Sequence, residues 1–285
     1  MVQALLVCAW LSGAMVVESS IDREEVERLV LQLSDPSRAA RLSARDHLLK
    51  LGPDAAALLR TCQPASEYES RTWFEYVLRQ LPRRPSSIQI QGGTYRIGNN
   101  EFEDSSPERD QAVAAFRIDD TEVTCFEYYE YLRESGAAPP PHWRRGRYPY
   151  GQESFPMRQV SFLEAGGMAA WAGGRLPTCE EWEIAALLGE RGPFPWGRPP
   201  RGGGSLLAAR LNPVASTSAD RTQSGCFDMA SSVAEWVTME DGGAASRGGH
   251  YLCQGHPYLR LTRKAVALSP EARYEFLGFR IADRR

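Results

Sequence analysis

One short segment, RGGHYLCQGHPY at residues 247–258, concentrates side chains that could carry chemistry. Cys253 stands three residues after His250 and three residues before His256. Copper and zinc both bind thiolate and imidazole groups, so these three side chains could form a metal site. A spacing of three residues brings side chains together on a helix, but the glycines and the proline of this segment are not typical of a helix. The alternative is a strand that enters a core and carries an ordinary buried thiol.

A second segment, FDMASSVAEW at residues 227–236, carries two carboxylates that suit a harder ion. Asp228 and Glu235 flank a short loop, and two backbone carbonyls of that loop could also point inward. Calcium prefers oxygen ligands of this kind. The alternative is a loop held by ordinary salt bridges.

Helical periodicity runs through residues 21–81, which we predict to form a helical hairpin or a small bundle. The SDPS segment at residues 34–37 interrupts the pattern, which resumes from Leu42, and Pro53 suits the first turn of a further helix. The stretch resembles one HEAT-type repeat, although a single repeat cannot bury both of its faces. A helical cap packed on a neighbouring domain is the alternative.

The segment LPRRPSS at residues 81–87 is the predicted boundary between the helical pattern and an alternating one. After it, SIQIQGGTYRIG alternates as a strand does, with Gly92 and Gly93 as a bulge or turn. Two helices are predicted near residues 124–135 and 161–190, the second broken at GGR, and Thr178 with Glu181 forms a capping box. The predicted fold class is therefore α+β, with a loop-rich domain at residues 88–285 preceded by a small helical segment.

The composition restricts the kinds of partner. The 285 residues carry a net charge of -3, with 42% hydrophobic and 24% charged residues, as in an ordinary globular protein. This charge gives no reason to expect nucleic acid or an anionic membrane, so we expect a protein, a peptide or a small molecule as ligand. Six cysteines are scattered without a C-x-x-C pair, which argues against a disulfide scaffold or a structural zinc site.

The first 19 residues, MVQALLVCAWLSGAMVVES, form an apolar run with small residues near its end, as in a secretory signal peptide. No Lys or Arg precedes the run, and its apolar length is below the ~20 residues that a membrane span needs. We expect export to the periplasm or the extracellular space, with no membrane span in the mature chain. If the run is instead a core helix, the expected location is the cytoplasm.

Seven phrases, in this order along the chain, resemble the formylglycine-generating enzyme family, also called the sulfatase-modifying factor family. They are GGTYRIG (92–98), FRIDDTEVTCFEYYEYL (116–132), FPMRQVSFLEAGGMAAWAGGRLPTCEEWEIAA (155–186), FPWG (194–197), SGCFDMASSVAEWV (224–237), SRGGHYLC (246–253) and LGFRIA (277–282). They cover about residues 88–283, and seven ordered matches are far more specific than one short motif. The resemblance implies a loop-rich relative of the C-type lectin fold.

The resemblance also implies a calcium site. The family binds this ion through two side chains and two backbone carbonyls, at the positions of Asp228, Ser231, Val233 and Glu235. Both carboxylate positions are filled in this sequence. The usual Gly-Asn of the loop is replaced by two serines, which adopt positive φ less readily than glycine. A second calcium loop would fall between Trp196 and Pro213, where no Asp, Glu or Asn precedes Asn212, so we expect that site to be absent.

Family members that make formylglycine hold Cu(I) between two cysteines five positions apart, and the copper activates oxygen to oxidise a substrate cysteine. Cys253 stands at the first of these positions, but Tyr258 stands at the second. The serine that commonly follows the paired glycine is His250. We therefore expect that copper is not bound.

The family arginine that grips the substrate peptide is also missing. Its position falls on Ala265 or Val266, neither of which can make a charge-assisted hydrogen bond. Arg260 or Arg263 could substitute for it. The segment PPPHWRRGRYPYGQE at residues 139–153, which contains Trp143, is predicted to form a contact loop beside Cys253.

These observations predict a binding or scaffold module that has lost the copper oxidase site, with ligand contacts from His250, Tyr258, Trp143 and Arg260. The alternative is a copper-dependent oxidoreductase that converts a sulfatase cysteine to formylglycine, using Cys253 alone or with Cys226. Enzymes that join sulfur to histidine derivatives share the domain but carry a helical iron domain with several histidines. The N-terminal region here has only His47, so we set that function aside.

Overall fold

The computed structural model describes residues 22–51, positions 55, 58–59, 61–62, 73–74 and 77, and residues 85–284 except 189–191, 198–209, 217 and 254–255. The apolar run at residues 1–19 and most of the predicted boundary at 81–87 lie outside the described residues. None of the described helices has both the length and the apolar composition that crossing a membrane requires.

Within residues 22–51, the chain forms two helices, α1 (Arg23–Gln32) and α2 (Arg38–Leu51), on either side of the SDPS segment. Positions 55, 58–59, 73–74 and 77 are also helical. Asp22 begins α1 as its N-cap, because its side chain accepts a hydrogen bond from the backbone N–H of Glu24. The helices bury an apolar cluster that includes Val26, Leu29, Val30, Leu33, Ala44 and Leu48. The helical periodicity predicted for this stretch is therefore present in α1 and α2, whereas the HEAT-type repeat stays a prediction.

The alternating stretch after the boundary is divided between two small sheets. Strand β1 (Ser87–Ile90) pairs antiparallel with β4 (Phe116–Asp119), and β2 (Gly93–Ile97) pairs antiparallel with β3 (Arg109–Val113). The chain crosses from one sheet to the other at Gly92, where a Cβ atom would lie 2.9 Å from the backbone nitrogen of Ala115. Glycine is required there because another backbone approaches closely.

Three helices follow, α3 (Cys125–Ser135), α4 (Phe162–Trp171) and α5 (Cys179–Leu187). Each begins with a capping box in which a Ser or Thr hydroxyl and a Glu carboxylate satisfy backbone N–H groups reciprocally. The box predicted at Thr178 and Glu181 is confirmed at the start of α5.

The central sheet has four strands in the order β7-β6-β5-β8: β5 (Ala234–Thr238), β6 (Ala244–Arg247), β7 (Val266–Ala267) and β8 (Leu277–Gly278). Only the β5–β8 pair of this sheet is parallel. Successive side chains of β5 point to opposite faces of the sheet. Trp236 packs in one hydrophobic cluster with Tyr128 and Phe279, and Val237 packs in another cluster with Trp182. Mixed helices and small sheets confirm the α+β prediction.

Candidate functional site

A buried ion pair joins the two segments that meet at β5 and β8. Arg280 and Glu235 are both fully buried, and the guanidinium Nε and Nη2 each lie 2.7 Å from a different carboxylate oxygen of Glu235. The indole N–H of Trp182 donates to the same carboxylate at 2.9 Å. Arg280 also donates to the backbone carbonyls of Asp119 and Phe227. Burial lowers the pKa of Arg280, but the charge of Glu235 outweighs burial and raises it overall.

Further acids line the loop that leads into β5. Asp228 adopts φ +65° and its carboxylate accepts a hydrogen bond from the backbone N–H of Ala215. Asp220 accepts a hydrogen bond from the Ser231 hydroxyl. Glu122 is fully buried, and burial together with the charge of Asp228 raises its pKa well above the usual range of a carboxyl.

These side chains do not fit the calcium set expected from the sequence. Glu235 has both oxygens bound to Arg280, and Asp228 already accepts a backbone N–H group. The other two expected ligands are the backbone carbonyls of Ser231 and Val233, on which no described contact bears. A calcium ion on Glu235 would have to displace a buried guanidinium, and on this ground we predict that the ion does not bind at this loop.

The segment around Cys253 is a turn rather than a helix. The backbone N–H of Cys253 donates to the carbonyl of His250 at 2.8 Å, and the thiol is half-buried. Burial raises the pKa of Cys253, so the group is a thiol and not the thiolate that binds copper. Burial lowers the pKa of His250, with a smaller contribution from Arg263, which keeps the imidazole neutral. The side chain of His256 lies outside the described part.

Tyr258 does not complete a metal site with Cys253. Its ring is 48% exposed, and the guanidinium carbon of Arg263 lies 4.9 Å from the ring centroid. Cys226, the partner thiol considered for an oxidase, is fully buried in the core that contains Trp182. Within the described ranges, no three His, Cys, Asp or Glu side chains converge as metal ligands. The residues present do not fit two-thiolate Cu(I).

Two residues predicted to contact a ligand are buried. Trp143 is only 5% exposed and packs edge-to-face on Tyr128 and Tyr148, so its contact with a ligand stays a prediction. Its large apolar surface favours the core over a polar loop. Arg260 is also buried, stacks on Phe102 at 3.8 Å and pairs with Asp104. Its charge already has a partner in Asp104, and contact of Arg260 with a ligand stays a prediction.

The sequence did not predict a group of side chains beside residues 250–253. Tyr274, Phe276 and His250 form a ladder of nearly parallel rings, called here the aromatic stack, with centroid distances of 5.3 Å and 4.2 Å. The Tyr251 hydroxyl and an Nη1 hydrogen of Arg158 both donate to the backbone carbonyl of Glu275. Tertiary folding brings these positions together from three distant segments, so no local pattern could have revealed them.

The geometry can now be compared with known proteins. A family model described as the sulfatase-modifying factor enzyme 1-like domain matches residues 75–285. The chain belongs to this family. The resemblance seen over residues 88–283 is thereby confirmed, and the match begins some residues earlier than the seven phrases.

Relatives of this sulfatase-modifying factor domain include a hercynine oxygenase, a formylglycine-generating enzyme and a protein named as inactive. Hercynine oxygenase of Mycolicibacterium smegmatis is 28% identical over 193 residues, covering 54% of this chain and 45% of the relative. Formylglycine-generating enzyme of Mycobacterium tuberculosis is 26% identical over 219 residues, covering 54% of this chain and 73% of the relative. Inactive C-alpha-formylglycine-generating enzyme 2 of Mus musculus is 29% identical over 157 residues, covering 40% and 51%. The chain thus spans about half the length of the first and the third.

Two solved structures share the fold. PvdO of Pseudomonas aeruginosa aligns with a TM-score of 0.56 and 24% identity, over 70% of this chain and 95% of PvdO. CarF aligns with a TM-score of 0.50 and 19% identity, over 71% of this chain and 99% of CarF. These likenesses confirm the predicted formylglycine-generating-enzyme-like, C-type-lectin-like fold.

Proposed function

We propose that this sulfatase-modifying factor domain is a binding or scaffold module that does not perform copper-dependent formylglycine formation. One observation carries the proposal: the position of the second active-site cysteine is an exposed tyrosine that packs under Arg263. A phenol oxygen is a harder donor than a thiolate and is a poor ligand for a soft ion. The ligand would be a protein, a peptide or a small molecule.

The state of Cys253 supports the same proposal. A raised pKa leaves little thiolate at neutral pH, and the neutral His250 supplies no positive charge that would lower that pKa. Cys125, Cys179 and Cys226 are buried in the cores and offer no accessible second sulfur.

The alternative is an oxidase that uses Cys253 alone. The names of the mycobacterial relatives, a hercynine oxygenase and a formylglycine-generating enzyme, favour this alternative. The two proposals differ in whether aldehyde forms on a peptide.

The test incubates the purified chain with Cu(I), oxygen, a thiol reductant and a peptide containing Cys-x-Pro-x-Arg, and detects aldehyde by mass spectrometry. The Mycobacterium tuberculosis relative serves as positive control, and Cys253→Ser serves as the matched variant. We expect no aldehyde from the wild-type chain. Aldehyde that disappears in Cys253→Ser would refute the binding-module proposal and establish the oxidase.

A further inference from the structure

Arg158 is a cation without a counter-charge in the described part of the protein. It lies in the segment before α4 and is half-buried. Among the described residues, its one hydrogen bond runs from Nη1 to the backbone carbonyl of Glu275 at 3.3 Å, and no described carboxylate lies within ion-pairing distance. By contrast, Arg247 and Arg280 pair with buried carboxylates. A guanidinium has five N–H donors, so most of the donors of Arg158 are available to a ligand.

Tyr251 adds a second donor at the same place. Its hydroxyl lies 3.5 Å from the Glu275 carbonyl oxygen that Arg158 also approaches. The segment of Tyr251 is held in position by its backbone N–H, which donates to Ser232 at 2.9 Å. Both contacts with the carbonyl are long, so each donor can turn to a stronger acceptor such as an anionic oxygen.

An apolar surface borders the two donors. The aromatic stack runs along the same backbone, because Glu275 lies between Tyr274 and Phe276. His250, the third ring, directly precedes Tyr251. Tyr274 ends the stack and is 38% exposed, so one edge of the stack faces solvent. A planar or apolar group placed there would stack on a ring while a neighbouring group reached Arg158.

Three carboxylates, those of Glu153, Glu164 and Glu275, act on the same neighbours as Arg158 and oppose an incoming anion. Glu164 is already paired with Arg273. His142 lies near Arg158, and burial followed by the charge of Arg158 lowers its pKa to about 4, so it is neutral at physiological pH. Burial raises the pKa of Tyr251. Of the two nearby charges, Arg158 lowers this pKa and the exposed carboxylate of Glu275 raises it. That carboxylate is screened by solvent, whereas Arg158 is partly desolvated.

We propose that Arg158 and the Tyr251 hydroxyl bind a carboxylate, and that the ligand of this surface carries an aromatic or other planar apolar group beside that carboxylate. This inference rests on the proposed binding function and names the chemistry of its ligand. The carboxylate can belong to an acidic residue of a peptide or to a small free acid.

The experiment titrates the full chain with matched acid and amide probes and follows binding by NMR. The small probes are 3-phenylpropionate and 3-phenylpropionamide, and the peptide probes are acetyl-Phe-Glu-amide and acetyl-Phe-Gln-amide. We expect at least one acid to bind more tightly than its amide. Arg158→Gln should weaken acid binding roughly tenfold or more, as expected for a lost charge-assisted hydrogen bond, and leave amide binding unchanged. Tyr251→Phe should weaken acid binding less.

Arg133→Gln is the matched control, since Arg133 is an exposed arginine on α3. Arg158→Lys keeps the charge and should retain part of the preference, which separates ligand binding from loss of the fold. Equal binding of acid and amide, or an acid affinity unaffected by Arg158→Gln, would overturn the inference. Neither result bears on the aldehyde assay, so the binding-module proposal fails only if aldehyde forms.

Discussion

At the scale of single residues, the Glu235–Arg280 pair holds the middle of the domain together. Both side chains are fully buried, and the guanidinium finds partners in Glu235 and in two backbone carbonyls. A buried pair with this many hydrogen bonds offsets much of its desolvation cost, but removing one member leaves an uncompensated charge.

Glu235→Gln should therefore destabilise the domain by ~3–5 kcal/mol, measured by denaturant unfolding. Glu27→Gln is the control, because it breaks an exposed pair with Arg23 at 2.8 Å, and exposed pairs contribute little to stability. Comparable losses in the two variants would contradict the role assigned to the buried pair.

At the scale of elements, the helices follow local signals, but the loop before β5 does not. The N-terminal ends of α3, α4 and α5 each carry Ser or Thr with Glu three residues later. Asp228, at the start of the loop, and Glu235, just after it, are the acids that suit calcium. The carboxylate of Glu235 is paired with Arg280. A local sequence pattern therefore identifies side chains that could bind calcium, but it does not show which groups those side chains contact in the folded protein.

Calcium should leave the melting temperature of the domain unchanged. A calcium ion on Glu235 would have to separate this carboxylate from Arg280, and leaving a buried charge unpaired costs ~3–5 kcal/mol, which would weaken the affinity for the ion. An ion that does bind contributes ~2.7 kcal/mol at a hundred times its dissociation constant. The measurement compares thermal unfolding in calcium, in magnesium and in a chelator. A calcium-specific rise of several degrees would show that the calcium set inferred from the family resemblance does form.

At the scale of the whole molecule, buried carboxylates outnumber buried guanidiniums among the described residues. Asp119 is one of them: burial raises its pKa to about 7, although Arg284 at 2.9 Å opposes the shift. Its pKa in an unfolded chain is ~3.9, so the folded state binds more protons between these values. The stability from Asp119 is fully present below about pH 4 and is lost as the pH rises through about 7.

Asp119→Asn should flatten the decline of stability between pH 5 and pH 8. A shift of ~3 pKa units corresponds to at most about 4 kcal/mol. Denaturant unfolding at several pH values measures the difference, with the exposed Glu240→Gln as control. If the slope stays the same in Asp119→Asn, Asp119 is ionised throughout as a partner of Arg284.

The sequence by itself determined the helix starts, the α+β class and the family, because capping boxes, periodicity and ordered phrases are local. It also showed that Tyr258 replaces the second cysteine. Only the tertiary structure decided where the large and charged side chains lie. Trp143 and Arg260 were predicted from the sequence to contact a ligand, but both are buried. Arg158, Tyr251 and Glu275 lie in contact although they come from separate segments. Burial and pairing depend on contacts between residues far apart in the chain, which spacing along the sequence does not encode.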